Sequence, residues 1–109
     1  MVTLDKKVRI SQLYSFYGNL LTEKQNKLID LYYNQDTSLG EIASIFNITR
    51  QAVKDALKKA ETSLEAAESK LKTAERFFLV KNTLKECIEF TKDENVKEKL
   101  IKLSEALED

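Results

Sequence analysis

Apolar residues recur three to five apart from the start of the chain: Leu4, Val8, Leu13, Phe16 or Tyr17, and Leu20 or Leu21. That spacing predicts a first helix, capped by Thr3 and weakened near its end by Gly18. Thr22 and Gln25 then stand at capping-box spacing. Leu28, Ile29, Leu31, Tyr32 and Tyr33 follow, which predicts a second helix over about 23–34, ended by "NQDTS". The aromatics Tyr14, Phe16, Tyr17, Tyr32 and Tyr33 read as core rather than as a base-stacking platform.

Ser38 with Glu41 repeats the box and opens "SLGEIASIFNITRQAVKDALKKAE". Leu39, Ile42, Ala43 and Phe46 share one face of a short helix that stops at Asn47, a residue that tolerates the left-handed conformation of a tight helix end. Ile48 packs inward from the turn, and Thr49 caps the next helix, whose buried side is Ala52, Val53, Ala56 and Leu57. Two helices joined by about three residues, with a small Ala43 at the close approach, make a helix-turn-helix. The outward side of the second helix is Arg50, Gln51, Lys54, Asp55 and Lys58. Arg and Gln can pair with guanine and adenine in the major groove, whereas Lys58 and Lys59 suit phosphate. Any surface helix has a polar face. Cap, small residue, turn, second cap and cationic face occurring together are what favour nucleic acid.

A second pattern runs on from there. Val53, Leu57, Ala60, Leu64, Ala67, Leu71, Ala74 and Phe78 step by three and four with no Gly or Pro between them. One helix is therefore expected from Thr49 past Arg76, bending where the stripe passes to Phe77, Val80, Leu84, Cys87 or Ile88, and Thr91. Cys87 reads as a small buried residue on that stripe. A last helix over about 93–107 carries Val96, Leu100, Leu103 and Leu107. A Leu and Ala seam of this length must be covered. A homodimer through Leu64, Leu71 and Phe78 is expected, with an internal core as the alternative. The fold expected is all-α, a helix-turn-helix domain with a long C-terminal helix and a short final helix. Residues 1–62 hold the first helices and the helix-turn-helix, and 63–109 complete one compact unit.

Composition narrows the function. With 109 residues, 33% of them charged, and no Pro, the chain is sized for one helix-rich domain. The longest apolar run, Phe77 to Val80, is far below the ~20 residues of a membrane span. No membrane partner is expected. One cysteine excludes an internal disulfide and fits a reducing compartment, so the cytoplasm is the expected location. There is no His, no Cys cluster and no Gly-rich loop. No enzyme, cofactor, metal site or small-molecule ligand is implied. Net charge is zero, yet residues 1–60 carry nine Lys/Arg against six Asp/Glu and residues 61–109 nine against twelve. The front half is the one suited to a polyanion.

"LLTEKQ" at 20–25, "LYY" at 31–33, "SLGEIA" at 38–43 and "TRQAVKDALKKAE" at 49–61 resemble the YlxM family of small bacterial helix-turn-helix proteins over nearly the whole chain. The "EIA" and "RQAV" elements are also similar to the promoter-reading region of bacterial sigma factors. The resemblance implies a DNA-binding-like fold and a link to the signal recognition particle pathway, because family genes tend to neighbour those of the particle's GTPase and its receptor. The chain departs from the family pattern at Lys54, where an aromatic is usual, which makes its outer face more cationic. Two readings stand. A dimer reads duplex DNA through Thr49, Arg50, Gln51, Lys54, Asp55, Lys58 and Lys59 as a regulator, or the same face is an adaptor for the particle's RNA or its GTPase.

Overall fold

The computed structural model describes residues 3–108, and among them all regular structure is helical: α1 Leu4–Tyr17, α2 Glu23–Ile29, α3 Leu39–Phe46, α4 Arg50–Leu71, α5 Thr73–Phe90 and α6 Glu94–Leu107. A short 3₁₀ turn, Gly18–Leu20, follows α1, and a π-helical turn, Asp30–Asn34, extends α2 to the end the sequence predicts. The chain divides into two compact units after Lys72, so the boundary expected at residue 62 falls inside α4.

The helix starts follow the predicted caps. Thr3 Oγ1 accepts from the Lys6 amide, and Thr22 and Gln25 form a complete capping box, at 3.2 and 3.0 Å. At α3 only half of the box closes. Ser38 Oγ accepts from the Glu41 amide at 3.1 Å, but the Glu41 carboxylate takes the Ser38 hydroxyl instead of the backbone N–H. The π turn ends on its own side chains, with the Asp30 carboxylate accepting from Asn34 and Gln35.

In the first unit α1, α2 and α3 each pack against α4. Leu13, Leu28, Ile29, Tyr33, Ile42, Val53 and Leu64 fill the centre with no appreciable exposure. Ion pairs at the margin join α1 to α4, Lys6 to Glu61 and Arg9 to Glu65. The buried stripe of α1 is Ile10, Leu13 and Tyr17, whereas Leu4 and Val8 are exposed. From Val8 to Leu13 the predicted stripe takes a step of five. At 3.6 residues per turn that step leaves the face, and Leu4 and Val8 point away from Ile10 and Tyr17. Leu21 is buried where Leu20 is not.

The long seam is interrupted. Lys72 adopts the left-handed conformation at φ 54°, donates its N–H to Glu68 O, and ends α4. The helix expected to continue past Arg76 is two helices, although neither Gly nor Pro marks the break. Leu64 is fully buried and so presents no surface to a second copy, which corrects its assignment as a dimer contact. Leu71 keeps the phase of the seam but is 52% exposed. The physical reason is the reach of α1. Its last residue, Tyr17, donates its hydroxyl to Glu68 Oε1 at 2.5 Å, and Leu71 lies nearly a turn further along α4. Phe78 belongs to α5 and is half-buried.

The second unit is the helical pair α5 and α6. Asp93 caps α6 by accepting from the Asn95 and Val96 amides. Among the described residues of this unit only Ala74 and Leu84 are buried, and α6 has none. Cys87, expected inside, is exposed, because the face of α5 turned inward is set by Leu84 and the half-buried Ile88.

Candidate nucleic-acid interface

The turn between α3 and α4 is built from the residues the sequence marks. Asn47 is left-handed, at φ 56° and ψ 48°, and the Ile48 amide bonds the Ala43 carbonyl at 3.0 Å, which satisfies an end carbonyl of α3. Ala43 and Ile42 are buried and Ile48 is half-buried. Thr49 Oγ1 accepts from the Ala52 amide at 3.0 Å and starts α4. Val53, Leu57 and Ala60 face the core, which turns Arg50, Gln51, Lys54, Asp55 and Lys58 outward, all exposed.

Individual side chains on that face have defined settings. The Arg50 guanidinium lies across the first turn of α3, where a Cβ placed at Gly40 would stand 2.8 Å from Nη2. Gly40 is thus the residue that admits Arg50 to this position, a role the sequence reading missed because nothing local announces it. Gln51 Nε2 donates to Asp55 Oδ1 at 3.0 Å, so the two form one unit. That contact leaves the amide oxygen, one amide N–H and the second carboxylate oxygen unused. Lys54, Lys58 and Lys59 make no ion pair among the described residues. Lys59 lies about 100° around α4 from Lys58 and stands apart from the others.

One side of this face borders a groove of about 900 Å³ whose far wall is α1. Gln51, Lys54, Asp55 and Lys58 line it opposite Lys6 and Arg9. The α1 cations are already matched, Lys6 Nζ to Glu61 at 2.9 Å and Arg9 through two nitrogens to Glu65 at 2.9 and 3.1 Å. The Glu65 contact, against the opposing effect of burial, raises the Arg9 guanidinium above its ordinary pKa. Along this groove the unmatched cations among the described residues are therefore those of α4, Lys54 and Lys58. These pairings join residues 55 or more positions apart, which no local pattern reports.

A four-helix core, a left-handed Asn turn and a capped helix with a cationic outer face define a helix-turn-helix protein. Comparison with known sequences agrees. Residues 4–104 match the family described as "Putative helix-turn-helix protein, YlxM / p13 like". The chain is 43% identical to a UPF0122 protein of Halalkalibacterium halodurans, covering 96% of each chain. It is 41% identical to one of Oceanobacillus iheyensis, over 94% of this chain and 97% of that one. With a UPF0122 protein of Bacillus thuringiensis it shares 44%, over 96% of each. The chain belongs to this YlxM/p13-like family, UPF0122. No helix among the described residues is long and apolar enough to cross a membrane.

Proposed function

We infer that the outer face of α4 reads nucleic acid, with duplex DNA as the target, and that the protein is a non-catalytic regulator acting in the cytoplasm. The observation that carries this reading is the charge on the second helix of the motif. Arg50, Lys54 and Lys58 are exposed along one side of it and, among the described residues, no carboxylate pairs them, while the cations of α1 are matched. Arg50 and the Gln51–Asp55 unit supply base-edge donors and acceptors, and Lys54, Lys58 and Lys59 supply phosphate contacts. Asp55 has a place in such a face because a carboxylate accepts from the cytosine amino group.

The test is selection from a random duplex library, followed by binding of the best sequence to the wild type and to Arg50→Ala. The variant should lose about 1–3 kcal/mol of specific binding with its helix content unchanged. Equal affinity would remove Arg50 from the contact set. The RNA of the signal recognition particle and its GTPase serve as parallel arms. Preference for either would place the partner in that pathway instead of on DNA.

The working form is a homodimer, with its contact on α5 and α6. A 37-residue pair of helices is below the ~40 residues at which a chain usually carries its own core. This pair exposes Leu79, Val80, Phe90, Val96 and Leu103. A second copy of the same pair supplies the missing layer as a four-helix arrangement. Leu71 and Phe78 stay in this proposal as flanking contacts.

A further inference from the structure

The groove between α1 and α4 has features that α4's proposed role does not use. Its floor is apolar, formed by Ile10, Leu39, Leu57 and the Tyr32–Tyr33 pair, whose rings meet edge to face with centroids 5.0 Å apart. A volume of about 900 Å³ falls in the range of small-molecule sites, which are mostly apolar with a few placed polar groups. All three carboxylates on its walls are engaged: Asp55 by Gln51, Glu61 by Lys6 and Glu65 by Arg9. Lys54 and Lys58 are not.

Beneath them lies Tyr33, only 1% exposed, whose hydroxyl stands close to the Glu61 carboxylate but, among the described residues, makes no hydrogen bond of good geometry. Buried polar groups are nearly always well bonded, so a hydroxyl this poorly served calls for an explanation. Burial, and then the hydroxyl's imperfect hydrogen bond to Glu61 and that carboxylate's charge, push the phenol well above its ordinary pKa, so it stays a neutral O–H.

We propose that this groove binds a small organic anion with a flat apolar body, the ring system lying on Ile10, Leu39 and Tyr32 and the anionic group held by Lys54 and Lys58 with the Tyr33 hydroxyl. Because Lys54 and Lys58 also belong to the nucleic-acid face, the occupant and nucleic acid exclude one another. That coupling rests on the reading of α4 given above, whereas the binding site itself does not.

The probe is 8-anilinonaphthalene-1-sulfonate, titrated into the full chain without nucleic acid and followed by amide chemical shifts. The perturbed amides should cluster at Lys6, Tyr33, Leu39, Lys54 and Lys58. Tyr33→Phe should weaken binding about three- to tenfold while thermal unfolding of the free protein stays the same or moves up, since a poorly bonded hydroxyl is removed. Lys58→Glu should weaken it by about tenfold or more. Shifts confined to α5 and α6, or equal affinity of wild type and both variants, would overturn the site. Probe bound in the groove but undisturbed by a saturating, independently verified nucleic-acid ligand would overturn the coupling while leaving the site. Failure of α4 to bind any nucleic acid would remove the function proposed above and leave the probe result as it stands.

Discussion

The two halves of the chain share a helical alphabet and differ in what they do with it. In residues 3–72 each helix turns a stripe toward α4, and side chains from all four helices are buried. In residues 73–108 two helices of comparable length bury Ala74 and Leu84 and leave Leu79 and Phe90 about two-thirds or more exposed. Amphipathic spacing was equally good in both. Burial needs a third and fourth helix to close the layer, and the first unit has them within the chain. The first unit therefore offers a packed platform for a polar outer face, which we assign above to nucleic acid, and the second exposes the apolar surface to which we assign assembly.

The largest expected difference is in the cost of truncation. Leu28→Ala, from a fully buried side chain, should lose about 2–5 kcal/mol in urea unfolding. Leu103→Ala, from an exposed position on α6, should lose less than about 0.5 kcal/mol at concentrations where the protein is monomeric. Comparable losses would erase the distinction between the units.

Assembly sharpens the same contrast. If the second unit is the dimer contact, Leu79→Glu with Phe90→Glu should shift sedimentation from dimer to monomer at micromolar concentration without lowering helix content. Wild type that sediments as a monomer there would refute the dimer. Dimers that survive both changes would move the contact elsewhere.

Smaller still is the effect at Gly40. Gly40→Ala should leave stability unchanged or raise it by up to about 1 kcal/mol through helix propensity. The new methyl meets the flexible end of Arg50, so that side chain must move aside. Specific binding should fall while nonspecific binding holds. A variant that binds its selected sequence as well as wild type would show that the setting of Arg50 across α3 is dispensable.

Much of this was legible in the sequence, for reasons that stay local. The caps at Thr3, Thr22, Ser38 and Thr49 each sit three residues from the amide they accept from, and Asn47 carries its own preference for the left-handed region. The outer face of α4 followed from its inner face. What escaped is set by distant parts of the chain. The break at Lys72 has no Gly or Pro. The exposure of Leu71 depends on where α1 ends, and the pairing of Arg9 with Glu65 spans 56 positions. The stripe that predicts a buried Cys87 guarantees a cover only where another helix supplies one, and at that position of α5 none does among the described residues.

The claim at the centre of this account is that the unpaired lysines of α4 meet phosphate. It is tested most directly by the salt dependence of binding to one selected duplex, comparing wild type with Lys58→Ala. Each phosphate contact contributes about 0.9 to the slope of log K against log salt, so the variant's slope should be smaller by about one unit. Its affinity should drop alike for selected and unrelated sequences. Parallel lines for the two proteins, with equal affinity across the salt range, would contradict the account.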